Sequence, residues 1–383
     1  MILDREFPPD LRVENEIETL TKKGIEVHLA CFTRRNLPLQ EVRDNLIIHR
    51  QPISDITYKS SVAALTFPRY FRFWRHFLQK LAQHYNFDII HVHDLPLVKV
   101  GVDLKQYLHK PLIADLHENW PAYLRMAQHT RTFPGKLLSP NIRWIHYEKD
   151  ILRSVDHIIV VVDEARQRLS SIGFDPEKIT VVSNTLNIAH ALIPKHTEDH
   201  KNPVLFYAGG INYHRGLQTV IKAMAKTKRE KYKLLALGEG RYKNDLIDLA
   251  ASLGLQDFVD FPGWVPYQET LQHMSKSDYA LIPHIKSDHT DSTIPHKLFQ
   301  YMYAGVPVIA SNCIPIERII KETQSGVIFP SEDDDRLAEI LDTLDPDQRK
   351  TWGINGRQWV KKKYNWAYDS KNLIKIYEKL TNL

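Results

Sequence analysis

Residues 203–226 read "PVLFYAGGINYHRGLQTVIKAMAK". From Val204 to Ala208 every position is apolar, the pattern of a strand covered on both faces in a parallel sheet flanked by helices. Two glycines, Gly209 and Gly210, end the run. A polar turn carrying Arg215 follows, and apolar residues at helical spacing begin at Leu217. Glycines let backbone approach a ligand, a helix start offers N–H groups to an anion, and an arginine adds a fork for phosphate oxygens. A Gly-Gly turn is also an ordinary way to make a tight turn.

The same unit recurs on both sides of this stretch. Upstream, after a polar helix expected over 10–23, the runs "EVHLACF", "FDIIHVHD", "KPLIADLHE", "HIIVVVDE" and "KITVVSN" read as buried strands separated by helices. Downstream, "KLLALGEG", "DFVDFPGW", "YALIPHI", "GVPVIAS" and "GVIFP" alternate with helical segments in the same way. Between Asn184 and Pro203 the periodicity lapses into a polar, Pro-containing stretch of the kind that joins domains. The expected architecture is α/β with two Rossmann-like domains, 1–184 and 204–355, joined by a linker at 185–203. A C-terminal helical segment, 356–383, is expected to pack back on the first domain. In such open α/β sheets ligands bind beyond the carboxyl ends of the strands, here facing an interdomain cleft, so the residues just after strands matter most.

The totals agree with this division. A chain of 383 residues exceeds what one hydrophobic core usually serves. Its 43% hydrophobic and 25% charged residues are ordinary globular values, and no apolar run approaches the ~20 residues of a membrane crossing. Two cysteines, Cys31 and Cys313, suggest neither a disulfide framework nor a structural zinc, and fit a reducing cytoplasm. The net charge of +5 is spread along the chain, without the concentrated basic face that nucleic acid demands. "MILDREFPPD" lacks a signal-peptide pattern, and "MIL" reads as the tail of a strand clipped at the given start. In "FPRYFRFWRHFLQK", Phe67 to Lys80, aromatics and cations interleave. That suits either a helix lying on anionic lipid, giving peripheral membrane contact, or an ordinary helix with a basic outer face.

Three further constellations could carry chemistry. "LGEGR" places Gly238 and Gly240 after the next strand, repeating the glycine-turn design. "STIPHKLFQYMYAG" places Pro295 and Lys297 at the mouth of a helix. Proline suits a first helical turn, but a lysine there meets the positive end of the macrodipole unless an anion such as a diphosphate sits beside it. The alternative is a lysine that reaches out to solvent. In the first domain "HVHD" and "DLHE" end strands, and a period of two puts His91 and His93 on one face with Asp94 on the other. A metal needs three or four convergent ligands, so hydrogen bonding to sugar hydroxyls or proton handling fits these residues better. A buried, satisfied imidazole is the plain alternative for any one of them.

Together these segments resemble the retaining nucleotide-sugar glycosyltransferases of family 4 (group 1), which have the GT-B fold, over nearly the whole chain. "FPPDLRVENEIETLTKKGIEVHLA" looks like the family's opening loop, helix and second strand. "FDIIHVHDLPL", "LIADLHENWP" and "YEKDILRSVDHIIVVVDEARQRL" are similar to successive landmarks of its acceptor domain. "GGINYHRG" stands where the family often has Gly-Arg-Leu and then Lys-Gly, with Gly210 in place of that arginine and Arg215 in place of the lysine. The family's hallmark is two glutamates with seven residues between them, and those positions are here Ser292 and Gln300. "PHKLFQYM" nevertheless matches a branch that reads Pro-x-Lys-Leu-Phe-Glu/Gln-Tyr-Met.

The resemblance implies a nucleotide-sugar donor held by Gly209, Gly210, Arg215, Gly238 and Gly240, by Ser292, Ile294, Pro295, His296, Lys297 and Gln300, and by the turn Gly263, Trp264 and Val265 against the base and ribose. Asp288 or Asp291 would share the role of the missing first glutamate. It implies His117, Arg215 and Lys297 as catalytic groups, with Arg12, His93, Asp94 and Glu118 on the acceptor side. No cofactor and no metal are expected, because positive charge on the leaving diphosphate does the work. The rival functions are an epimerase or hydrolase of the same fold, or a catalytically silent sugar-nucleotide-binding subunit. A nicotinamide oxidoreductase is disfavoured, since no strand leads into the full G-x-G-x-x-G fingerprint.

Overall fold

The computed structural model describes residues 1–35, 37–126, 139–191, 202–228 and 231–381. Most of the expected linker, 192–201, lies outside these. The chain forms two compact units, one of Met1–Ser183 with the segment from Ala367, the other of Asn184–Trp366.

Among the described residues the first unit carries eight strands: β1 (Ile2–Leu3), β2 (Val27–Thr33), β3 (Gln40–Arg43), β4 (Leu46–Pro52), β5 (Ile90–His93), β6 (Leu112–Leu116), β7 (His157–Val160) and β8 (Ile179–Val181). They lie in the order β3-β4-β2-β1-β5-β6-β7-β8, parallel except for β3, which runs antiparallel to β4 at the edge. β5, β6 and β7 are buried at every position, as expected of strands covered on both faces. The β3–β4 hairpin is absent from the sequence reading: the exposed residues of β3, "QEVR", carry no apolar run, and the reading passes over the short run Leu46 to Ile48 of β4.

The helix Leu11–Lys22 starts where Asp10 accepts a hydrogen bond from the Val13 N–H, a side-chain cap for a helix end. Its inward face holds Val13, Ile17 and Leu20, together with Arg12 and Glu16. The helix Arg69–His84 buries Tyr70, Phe71, Trp74, Phe77 and Leu78. Most of the aromatics that suggested a lipid-facing helix therefore belong to the core, and the outer face is left with Arg72, His76, Gln79 and Lys80. Among the described residues no helix is long and apolar enough to cross a membrane.

The second unit carries β9 (Val204–Ala208), β10 (Lys233–Leu237), β11 (Val259–Gly263), β12 (Tyr279–Ile282), β13 (Val308–Ser311) and β14 (Gly326–Phe329). The order is β11-β10-β9-β12-β13-β14, all parallel. β9 is central, so the loop after it lies in the middle of the sheet's carboxyl edge. The C-terminal segment is two helices. Pro346–Lys362 belongs to the second unit, and after a break at Lys363–Asn365 a last helix, Trp366–Thr381, crosses to the first at Ala367. Asn365 marks the break by donating its amide to the Val360 carbonyl at 2.7 Å.

Candidate functional sites in the two units

In the first unit Arg12 points inward from its helix and grips Asp115 of β6. Nη2 donates to Asp115 Oδ1 at 2.8 Å and Nε to Oδ2 at 3.2 Å, while Nη1 donates to the Val182 carbonyl at 2.9 Å. Parallel register sets His93 of β5 beside Asp115, with His93 Nδ1 3.4 Å from Asp115 Oδ2. His91, two residues earlier, stacks on His93 with ring centroids 4.5 Å apart and shares a 2.8 Å hydrogen bond through Nδ1 with the Tyr377 hydroxyl. His117, just past β6, donates from Nε2 to Asp115 Oδ2 at 3.2 Å, and its Nδ1 stands 3.6 Å from Asp94 Oδ2. Asp94 has φ +64, and its carboxylate takes the His117 N–H at 3.3 Å.

Arg12, His93, Asp94 and His117 thus share one cluster, with Glu118 next in sequence and partly buried. The electrostatics are internally settled. Burial would raise the Asp115 pKa, but the Arg12 guanidinium and His117 overcome it and hold the carboxyl well below its usual range. Burial would lower that of His117, but Asp94 and then Asp115 more than offset it, so the imidazole gains protons more readily than usual. Glu16 was missed in the sequence. It is fully buried, with Oε1 3.2 Å from Arg12 Nε, and burial together with the Asp115 charge pushes its pKa well up. The i, i+4 spacing of Arg12 and Glu16 was a legible signal.

Glu16, His91, His93 and Asp115 offer four ligand atoms within 4.8 Å of one another. The cation among them is the Arg12 guanidinium, which bonds both oxygens of Asp115 and lies against Glu16. A metal would have to displace it. Two Asp-x-Asp stretches, 333–335 and 345–347, are helix starts in which Asp333 and Asp345 accept from the N–H groups of Arg336 and Gln348.

The second unit is built differently. The loops after β9 and β10 pack backbone on backbone: Gly209 N–H donates to the Leu237 carbonyl at 2.9 Å, and Ile211 N–H to that of Glu239 at 2.9 Å. Gly238 has φ +133, and a Cβ there would come within 2.0 Å of the Gly209 oxygen, so loop packing by itself demands this glycine. A Cβ on Gly209 would instead meet the Lys297 ammonium at 2.9 Å. Lys297 is the first residue of the helix Lys297–Ala304, with Pro295 just before its cap, and its Nζ lies 3.9 Å from the centroid of the Tyr207 ring. It turns over the glycine loop rather than out to solvent.

Arg215 follows in the turn after the loop, and its Nη1 donates to His284 Nε2 at 3.2 Å. His284 is buried just beyond β12. Among the described residues neither Lys297 nor Arg215 has a carboxylate at ion-pair distance, and Arg215 Nε is buried without a hydrogen-bond partner. Burial, and then repulsion from Arg215, lowers the Lys297 pKa well below the ordinary lysine value. Burial, followed by Arg215 and Lys297, does the same for His284. Tyr207 and His284 were assigned no role from sequence, although His284 follows a strand end, where one was expected.

The remaining residues divide. His296 is partly buried at the helix cap, and burial lowers its pKa to about 4. Ile294 packs into the core. The Ser292 hydroxyl donates to the Asp288 and His289 carbonyls in its own turn, which draws it away from any partner outside. Asp291 accepts from the Ile314 N–H at 2.8 Å and so serves the next helix. Gly210 offers its carbonyl to the Tyr207 hydroxyl at 2.8 Å. Gly240 abuts the Ile211 backbone. Gly263, at φ +92, turns the chain into Trp264, which is 74% exposed, and Val265. Gln300, one turn beyond Lys297, donates from Nε2 to the Tyr267 hydroxyl at 3.0 Å.

Two tandem parallel-sheet units of this kind have close structural counterparts. The chain superposes on sucrose-phosphate synthase from Thermosynechococcus elongatus with a TM-score of 0.78 at 19% identity, covering 100% of this chain and 99% of that one. On Anabaena Alr3699/HepE in complex with UDP and glucose the TM-score is 0.71 at 15% identity, covering 100% and 99%. These likenesses establish the GT-B fold. Residues 12–190 match the family model for glycosyltransferase family 4, and residues 190–359 that for glycosyl transferases group 1. The chain belongs to the family 4, group 1 glycosyltransferases. It is 25% identical over 366 residues to the alpha-monoglucosyldiacylglycerol synthase of Streptococcus pneumoniae, covering 90% of this chain and 77% of that protein.

Proposed function

We propose that the chain is a retaining, metal-independent glycosyltransferase that moves a hexosyl group from a nucleotide-diphosphate sugar to a hydroxyl of a glycan or lipid-linked acceptor, in polysaccharide or glycoconjugate synthesis. One observation carries the reading: Lys297 and Arg215 lie beside a glycine loop with no carboxylate among the described residues to balance them. Partly buried cations without a countercharge are costly, and a bound diphosphate supplies the missing charge.

On this reading the acceptor oxygen bonds to the anomeric carbon as that carbon's bond to the β-phosphate oxygen breaks on the same face. The acceptor's proton passes to the departing phosphate oxygen. Arg215 and Lys297 stabilise the charge that develops there, and His284 holds Arg215 in place from behind. His117, fixed between Asp94 and Asp115, supplies hydrogen bonds to sugar hydroxyls from the first unit. The similarity to a diacylglycerol-glycosylating synthase supports a lipid acceptor. Exposed Phe67 and the outer cations Arg72 and Lys80 would then provide contact with an anionic surface.

The test is a thermal-shift panel of UDP, GDP and ADP and their sugars with and without EDTA, followed by donor turnover with and without acceptor extracts. A ligand bound only by the folded state raises its stability. A shift that survives EDTA, and a product that requires acceptor, are expected. Strict magnesium dependence would overturn the metal-free mechanism. A new sugar isomer from donor alone would replace transfer by epimerisation.

A further inference from the structure

We propose that Tyr267 is a specificity-determining residue of the nucleotide site, forming with Gln300 a neutral pair that offers one hydrogen-bond acceptor and one donor to the cis-diol of a ribose. The inference rests on the donor reading above, and concerns how this chain manages without a carboxylate at position 300.

Gln300 lies three residues after Lys297 in one helix, on the same face and about 4.5 Å further along the axis. An ammonium and a polar group at that separation suit the phosphate and sugar ends of one nucleotide. The Gln300 amide is already oriented: Nε2 donates to the Tyr267 hydroxyl at 3.0 Å, which leaves Oε1 as an acceptor. Having accepted that bond, the Tyr267 hydroxyl still has its own proton to donate. Burial of the phenol raises its pKa, so the proton stays.

Tyr267 begins the helix Tyr267–Ser275, which packs on the Gln300 helix, yet the side chain is 46% exposed. Trp264, three residues earlier and beyond the Gly263 turn, is more exposed still. An exposed tyrosine bonded to an oriented amide, with a second exposed aromatic three residues earlier in the chain, fits a surface that a ring-bearing ligand covers. A vicinal diol can donate to Oε1 with its 3′-hydroxyl and accept from the phenol with its 2′-hydroxyl. A glutamate would present two acceptors instead, and would not need the tyrosine.

The experiment uses the full chain and whichever of UDP, GDP or ADP gives the largest thermal shift, alongside its 2′-deoxy analogue. Calorimetry gives the ratio of the two affinities in wild type, Tyr267→Phe, Gln300→Ala, the double variant, and Tyr267→Phe with Gln300→Glu. Tyr267→Phe is expected to reduce the preference for the ribo form by about three- to tenfold, the range for one neutral hydrogen bond. It should leave affinity for the deoxy form nearly unchanged. Adding Gln300→Ala should reduce the preference little further, and Gln300→Glu should restore it when combined with Tyr267→Phe. An unchanged ribo preference in Tyr267→Phe, or an equal loss for both nucleotides, would overturn the assignment while leaving the donor reading standing. Failure of the wild type to bind any of the three nucleotides would overturn both.

Discussion

Replacing Lys297 by methionine should have two opposite effects. The ammonium lies over the Tyr207 ring, faces Arg215, and has no carboxylate partner among the described residues. A cation–π contact returns about 0.5–2 kcal/mol, against a desolvation penalty that reaches several kcal/mol for a fully buried ion and is smaller for Lys297, which keeps some exposure. Methionine keeps the length of the apolar stem and brings a neutral methyl towards the ring. The empty protein should therefore gain about 1–2 kcal/mol, or roughly 3–6 °C in the melting temperature of a unit this size. The gain should depend on pH. Because the folded pKa lies below the unfolded value of 10.5, the unfolded chain holds this proton more tightly. The wild-type penalty is complete below the folded pKa and fades as pH rises towards 10.5, so the two proteins should converge in alkaline buffer. Nucleoside diphosphate affinity should fall by about 10- to 100-fold, since charge-assisted hydrogen bonds are worth about 1.5–3 kcal/mol. Differential scanning calorimetry of the empty protein and titration calorimetry with nucleotide measure the two effects. A less stable variant that binds nucleotide as well as wild type would show that the lysine serves packing, and the diphosphate reading would fall with it.

The first unit yields two further expectations. Asp115→Asn strands the buried Arg12 guanidinium and should destabilise this unit by about 3–5 kcal/mol in urea unfolding. Since the folded Asp115 pKa is depressed below 3.8, its contribution is present above that value and lost as pH falls towards the folded pKa, a loss the Asn variant should lack. His117→Ala should leave nucleotide affinity within about twofold and lower turnover by about 100-fold, the lower range for a proton-handling or oriented group. The raised His117 pKa means that its ion pairing is complete below 6.5 and is lost as pH rises through the folded value, so wild-type turnover should decline on that alkaline limb. Loss of nucleotide binding in His117→Ala would place this histidine on the donor phosphates instead.

How much of this the sequence could disclose depended on whether the signal was local. The strands of both sheets are apolar runs because helices cover both faces, and each quoted run lies on a strand. β3 escaped because an exposed edge strand has no apolar side to announce it, whereas β4 does carry an apolar run, Leu46 to Ile48, that the reading passes over. The Phe67–Lys80 stretch showed its composition but not its orientation. Only the packing reveals that Tyr70, Phe71, Trp74 and Phe77 share the inward face. The C-terminal segment 356–383 reads as helical, but the break within it is set by Asn365 turning back on Val360 as the chain leaves one unit for the other. Lys297 was legible because a lysine at a helix start conflicts with the macrodipole. Tyr267 was not, because its partner Gln300 is 33 residues away on another helix.

The two polar clusters differ most in how their charge is balanced, and this contrast supports a division of labour. In the first unit Arg12 is met by Asp115 and Glu16, and His117 by Asp94 and Asp115, so every cation has an acid within 3.6 Å. Such a cluster is already neutralised and rigid, and what it can offer a ligand is oriented hydrogen bonds rather than net charge. In the second unit Arg215 and Lys297 repel one another beside a glycine loop; His284 and His214 are held neutral by burial and by the same two cations, and burial keeps the Tyr207 phenol protonated against the pull of Arg215. That arrangement is unfavourable when empty and becomes favourable only with an anion in place. The salt dependence of binding should separate the two clusters: raising ionic strength should weaken nucleoside diphosphate binding and leave a neutral sugar acceptor nearly unaffected. An acceptor whose affinity fell as steeply with salt as that of the nucleotide would have to be an anion itself, and the neutral cluster around Asp115 would then not be its site.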